Sequence, residues 1–381
     1  MKMEKRLLIA LPCLGLLLLL ICLLPKRELP GWETMDGLSA AWQWKLRREI
    51  SRIEEAYPQD REDIDALEDA FIRQGWAVED SDEIYPAYLA NPRELIRFWE
   101  DASAGKTADG GFLRIHEDGG FGLTRFIHRK GETLCALISA GWTEEGLSIR
   151  RQEVLPVYDM VLADWDTFYY RLFPEDPHYI DYMQVRLTPP DREHYDLCRK
   201  YILPIGYQMV NLFLVDWSEG DWGDLSFSDV FEYLYEMETG EPGFSWTDYV
   251  DPENHTRALL PMALFEDMLL SYFSISREEL RLRAGWTEAG YPWRTFFGDD
   301  LTTRSYPICE PAVTEVQENQ DGTFTLRVRV GSPEKKTDCL FSHEVTIRSL
   351  ADGTYQYVSN KVTEVGQWGL PFRQSRFTLD G

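Results

Sequence analysis

Residues 112–155 read FLRIHEDGGFGLTRFIHRKGETLCALISAGWTEEGLSIRRQEVL. Four runs rich in aromatic and β-branched residues, FLRIHE, FGLTRFIH, TLCALIS and LSIRRQEVL, are separated by Asp118-Gly119-Gly120, Arg129-Lys130-Gly131 and Ala140–Gly146. Short apolar runs broken by glycine-containing turn segments predict an antiparallel β-meander. The runs VYDMVL and TFYYRLF are expected to extend it, and Pro189-Pro190 to close it.

The period changes on both sides. Upstream, Leu38, Trp42, Leu46, Ile50 and Ile53 fall on one helical face after Asp36, a candidate cap, and Ile64, Leu67 and Phe71 form a second stripe after Asp60, with Gly75 as its stop. Asn91-Pro92-Arg93-Glu94 has the form of a capping box. Downstream, helices are expected around Asp191–Tyr201, after Ser226, after Pro261 and after Ser276. The chain then returns to strands in AVTEVQE, TFTLRVRV, SHEVTIR and TYQYVSNKV. Separate blocks of strands and helices, without strict alternation, predict an α+β body and not a parallel α/β sheet. The division expected is an anchor and link over 1–30, a helical segment over 31–110 and an α+β domain over 111–381.

The segment AGWTEEG at 140–146 returns almost unchanged as AGWTEAG at 284–290. The first copy joins two strand-like runs and the second follows a helical one, SREELRLR, so the flanking periodicity is not shared. True repeats share it, and the match reads as two similar turns. Propellers and solenoids are thereby excluded.

Leu7–Leu24, LLIALPCLGLLLLLICLL, carries no charge and is long enough to cross a bilayer. Lys2, Lys5 and Arg6 precede it. It ends in Leu23, Leu24, Pro25, Lys26 and Arg27, which offers no small-residue cleavage site. An uncleaved, single-pass anchor with the body on the extracytoplasmic side is the expectation.

The formal charge is −26, and because the first thirty residues carry five Lys/Arg and two Glu, the remainder stands at −29. Such a field repels nucleic acid. It solubilises an aromatic-rich body and attracts cations or basic partners. Cys135, Cys198, Cys309 and Cys339 show no C-x-x-C spacing, so isolated thiols are expected in place of a zinc or redox site. No G-x-S-x-G, H-E-x-x-H, P-loop or G-x-G-x-x-G motif occurs, and the six histidines are scattered singly.

The densest cluster of polar chemistry is DWSEGDWGD, 216–224. Asp216, Asp221 and Asp224 alternate there with Trp217 and Trp222, and these five are the candidate ligand-binding residues. Carboxylates on a glycine-containing loop suit Ca²⁺, and indole faces beside carboxylates suit sugars. The spacing departs from the EF-hand loop, and an acidic lead-in to the Ser226-capped helix accounts for the same residues.

Lys200–Leu214 (KYILPIGYQMVNLFL), Asp216–Met237, Leu264–Gly285, Tyr291-Pro292-Trp293, Thr337–Arg348 (TDCLFSHEVTIR) and Asp352–Val362 resemble a family of uncharacterised membrane- or lipid-anchored proteins of Clostridia and related Firmicutes, known as a domain of unknown function. The resemblance implies a Gram-positive envelope protein and assigns no activity. This chain departs from lipoprotein relatives because Cys22 follows Ile21 and Cys13 follows Pro12. The functional expectation is a non-enzymatic envelope protein that binds a partner or wall component through an acidic, aromatic-rich surface. The alternatives are a carbohydrate- or wall-active hydrolase using an Asp/Glu pair and a Ca²⁺-stabilised structural module.

Overall fold

The computed structural model describes residues 29–58, 63–80, 87–174, 182–241, 244–252, 254–294 and 308–372. The apolar stretch 7–24 and the candidate cap Asp60 lie outside them. Among the described residues no helix is long and apolar enough to cross a membrane. Among the described residues, seven α-helices and mainly antiparallel sheets make the body α+β. The chain divides into two compact units, Met1–Ser81 with Ala90–Pro156 and Asp82–Leu89 with Val157–Gly381.

The first unit holds α1 (Ala40–Ala56), α2 (Ile64–Arg73), α3 (Arg93–Ser103) and a six-stranded sheet of order β2-β1-β3-β4-β5-β6. The strands of that sheet are β1 (Val78–Glu79), β2 (Leu89–Ala90, where the chain passes from the second unit to the first), β3 (Ala108–Ile115), β4 (Phe121–Arg129), β5 (Glu132–Thr143) and β6 (Gly146–Pro156). The meander is present as β3–β6, all antiparallel neighbours. Its β4–β5 turn holds Lys130 at φ 52° and Gly131 at φ 81°, the doubly left-handed pair that a tight hairpin needs. Leu46, Ile50 and Ile53 of α1 and Leu67 and Phe71 of α2 pack with Leu113, Leu123, Ile127 and Ile138 of the sheet in one core. The helical front and the meander therefore share a unit. β1 adds to β3 in parallel, Val78 opposite Leu113, a pairing that the sequence did not announce.

Helix starts moved. Gly37 turns the chain at φ 83°, so α1 begins after Ser39 and not at Asp36. Asp63 caps α2 by accepting from the Ala66 N–H. Asn91 does not cap α3: at φ 54°, its Nδ2 donates to the Ile72 and Trp76 carbonyls, closing the C-terminal end of α2. The two AGWTE segments share one device. Thr143 Oγ1 donates to the Gly146 carbonyl at 2.9 Å and Thr287 Oγ1 to the Gly290 carbonyl at 3.1 Å. In the first copy Ala140–Thr143 belong to strand, past a bulge between Ser139 and Ala140.

In the second unit β7 (Asp159–Leu162) and β8 (Thr167–Arg171) do not extend the meander but form a separate sheet with β9 (Tyr182–Arg186). The main sheet has the order β10-β17-β16-β15-β14, built from β10 (Trp217–Ser218), β14 (Glu310–Glu318), β15 (Phe324–Ser332), β16 (Thr337–Ser349) and β17 (Tyr355–Val365). The helices α4 (Arg192–Tyr201), α5 (Phe227–Thr239), α6 (Met262–Tyr272) and α7 (Arg277–Arg283), with a sheet of β11 (Val250–Asp251), β12 (Asn254–Leu260) and β13 (Tyr291–Arg294), complete the unit. Caps expected at Asp191 and Ser276 form: each side chain accepts an N–H of its helix, from His194 and Glu279.

A buried carboxylate ties three elements of this unit. Glu266 of α6 accepts from Arg281 Nε at 2.7 Å, from the Tyr291 hydroxyl at 2.9 Å and from Arg277. Burial alone would raise its pKa; the hydrogen bonds from Arg281, Arg277 and Tyr291 outweigh that and hold it below the usual range. Replacing Glu266 with Gln keeps the shape and removes the charge. The expected loss is about 1.5–3 kcal/mol, the worth of hydrogen bonds to a charged group, read as a lower urea midpoint at unchanged slope. An unchanged midpoint would show that the cluster contributes nothing net.

Candidate functional site

The candidate residues of 216–224 are placed at a sheet edge. β10 pairs with β17, Trp217 opposite Asn360. The Trp217 Nε1–H donates to the Leu212 carbonyl, and the indoles of Trp217 and Trp222 stack at 5.6 Å and 16°, with Phe273 edge-on to both. Both tryptophans are buried, at 4% and 1% exposure, so neither offers a face to a sugar. Asp216 accepts from the Val362 N–H, Glu219 forms a two-pronged pair with Arg348, and Asp221 closes a turn with Ser218 through the backbone. Asp224 lends its carbonyl to Asn211 Nδ2. The cluster is an aromatic staple with solvated acids. Among the described residues no group of three or more His, Cys, Asp or Glu is placed to hold a metal ion.

A better-formed site lies in the first unit. Residues 41, 44, 45, 48 and 52 recur on one face of α1, opposite the face carrying Leu46, Ile50 and Ile53. With Gln74, Gly75 and Trp76 they wall a groove of about 860 Å³ whose floor is Glu49, Glu94 and Arg125. An adjoining depression of about 590 Å³ shares Gly75 and Glu94 and adds Arg93, Arg97 and Asp109. Gly110 makes this possible. A Cβ there would lie 2.5 Å from Phe98 Cβ and 2.9 Å from the Glu94 carbonyl, so only glycine lets α3 lie on β3. That packing delivers Glu94 to Arg125.

Arg125 is 8% exposed and binds three carboxylates: Glu94 at 2.5 Å, Glu49 at 3.2 Å, and Asp109. Lys45 reaches both Asp109 oxygens at 2.7 Å. Burial, opposed by Arg125 and reinforced by Glu94, raises the Glu49 carboxyl. Burial would raise Asp109 as well, but Lys45 and Arg125 bring it below its usual value. Above this floor Arg48 lies over Trp44 at 5.5 Å and Arg52 over Trp76 at 5.3 Å. Arg48, Arg52, Arg93 and Arg97 line the two depressions, and none has a carboxylate at ion-pair distance among the described residues.

The profile of a family of unknown function, DUF6070, matches residues 44–376. The chain belongs to the DUF6070 family. No curated protein and no solved structure matches it. The match takes in the groove lining from Trp44 onward and the segments from Lys200 to Val362 on which the resemblance rests.

In this DUF6070 chain the groove floor brings two carboxyls onto one guanidinium. Glu49 and Glu94 oxygens lie 3.2 Å and 2.5 Å from one Arg125 nitrogen, hence within 5.7 Å of each other. Retaining glycosidases place two carboxyls about 5–5.5 Å apart. Here one guanidinium engages both carboxyls. Sequence reasoning missed the groove because a helix face of Trp44, Lys45, Arg48 and Arg52 reads as a solvated surface until the opposite wall is known.

Proposed function

We propose that this chain is a non-enzymatic envelope protein, anchored by Leu7–Leu24 with its body outside the cytoplasm, that binds an anionic wall glycan in the groove of the first unit. The observation that carries the reading is four arginines with no carboxylate at ion-pair distance among the described residues, Arg48 and Arg52 in the groove with Trp44 and Trp76 and Arg93 and Arg97 in the adjoining depression, in a chain of 65 acidic and 39 basic residues. Where acids outnumber bases this heavily, arginines with no described carboxylate partner in two adjoining depressions favour an anionic ligand from outside. The tryptophans supply apolar faces for sugar rings. The binding surface is thus a basic inlay in an acidic body, where the sequence suggested the acidic surface itself.

The test is calorimetric titration of the full-length chain with a polyphosphate-bearing wall polymer, a polyuronate and a neutral glucan. Binding is expected for the anionic polymers, weakening with salt. The double charge reversal Arg48→Glu, Arg52→Glu should weaken it at least tenfold, the order expected when bidentate arginine contacts are lost. Equal binding of the neutral glucan, or no effect of the reversal, would refute the reading. Protease treatment of intact cells tests the orientation: the body should be digested while the anchor stays in the membrane.

A further inference from the structure

The second unit contains a separate cavity of about 430 Å³, inside the range of roughly 300–1,000 Å³ that small-ligand sites occupy. Its walls come from β9, α4, β14 and β15. Pro189, Pro190, Pro311, Val313, Leu203 and Ile308 make it largely apolar. Two cations line it, Arg186 of β9 and Arg329 of β15. The Arg329 guanidinium lies over the Trp165 ring at 4.3 Å. Burial and the nearby Arg186 charge both bring its pKa below the usual value, so the two arginines repel each other across the cavity.

Neither guanidinium has a carboxylate at ion-pair distance among the described residues. The acids around the cavity are engaged otherwise. Glu310 accepts from Gln184, Asp166 from Thr188 Oγ1 at 2.7 Å, and Asp191 caps α4. Asp338, which attracts Arg329, accepts the Trp165 N–H at 2.7 Å. Two half-buried guanidiniums facing a mainly apolar hollow are costly unless an anion is supplied. The thiols add no chemistry: burial lifts Cys198 to about 11 and Cys309 to about 12, so both remain protonated and un-nucleophilic.

We infer that this cavity binds a small organic carboxylate with an apolar body, its carboxylate held between Arg186 and Arg329 and its body against the proline-rich wall. The planar fork of each arginine suits a carboxylate, and the proline-rich wall suits an apolar body.

The probe is 2-naphthoate titrated into the full-length chain, followed by calorimetry and by Trp165 emission. The neutral 2-naphthalenemethanol and inorganic phosphate serve as body-only and head-only controls. Saturable naphthoate binding is expected, with each control at least tenfold weaker. Arg186→Met should weaken naphthoate at least tenfold, and Arg329→Lys, which keeps the charge but loses the fork, by a smaller factor. Arg52→Glu, in the other unit, should leave it unchanged, so failure here is distinguishable from failure of the glycan reading. Absence of saturable naphthoate binding, or a neutral analogue or phosphate binding as tightly, overturns the inference.

Discussion

Replacing Arg125 with Met is expected to cost about 3–5 kcal/mol of stability at pH 7.5, the range seen when one partner of a buried ion pair is removed. Three carboxylates converge on this side chain, and two of them, Glu49 and Asp109, are themselves largely covered. Methionine fills the stem but supplies no charge, which leaves Glu49 desolvated beside two other acids. Its carboxyl, already raised by burial with Arg125 in place, would rise further. A carboxyl whose folded pKa lies above its unfolded value stabilises the fold below the unfolded pKa and loses that contribution as pH rises through the folded pKa. The deficit of Arg125→Met should therefore shrink on acidification from pH 7.5 towards 5. Urea midpoints across that interval check it. A deficit independent of pH would mean that Arg125 acts through packing alone. A variant as stable as the parent would remove the electrostatic account of the groove floor.

The same cluster shows what could be read from the sequence and what could not. The meander was legible because strand alternation is local: Leu113 and Ile115 on β3 and Leu123 on β4 follow the period of two that a half-buried sheet requires. The helix faces were legible for the same reason. Helix starts were less so, because Asn91 has equally good partners in α2 and the segment just after it, and only the fold places the Ile72 and Trp76 carbonyls within its reach. The acidic 216–224 segment misled because exposure of tryptophan is a tertiary property. Phe227 and Phe273, which cover Trp222, come from α5 and from the end of α6. The groove was illegible for a related reason. Whether an arginine is paired depends on which strand neighbours bring a carboxylate to it, as β3 brings Asp109 to Arg125 while no described carboxylate comes within ion-pair distance of Arg48 or Arg52.

Acid should unfold the second unit through His343. This imidazole sits on β16 at 0% exposure, stacked on Phe213 at 5.1 Å. Its protonation state is fixed by its neighbours. Asn360 Nδ2 donates to the Val215 carbonyl, so Asn360 Oδ1 faces His343 Nδ1 at 2.8 Å and must accept its proton. Nε2 is then the acceptor for the Tyr207 hydroxyl at 2.8 Å. The ring is a neutral link in a closed chain, and burial pushes its pKa down to about 3. A base whose folded pKa is depressed contributes stability that is fully present above its unfolded pKa and lost progressively as pH falls towards the folded one. The window runs from about 6.5 down to 3, with a slope of about 1.4 kcal/mol per pH unit and a total on the order of 5 kcal/mol. That is comparable with the whole stability of many domains, roughly 5–15 kcal/mol. His343→Phe separates the proton from the packing. It leaves the Tyr207 hydroxyl and the Asn360 carbonyl oxygen without their partner, each worth ~1–3 kcal/mol, so the variant is less stable at pH 7.5. It has no ring to protonate, so its stability falls with acid by up to one proton less, and the two stability–pH curves converge between pH 6 and 4. Parallel curves from denaturant unfolding at each pH would show that His343 does not set the acid limit, and would return that role to the carboxylates.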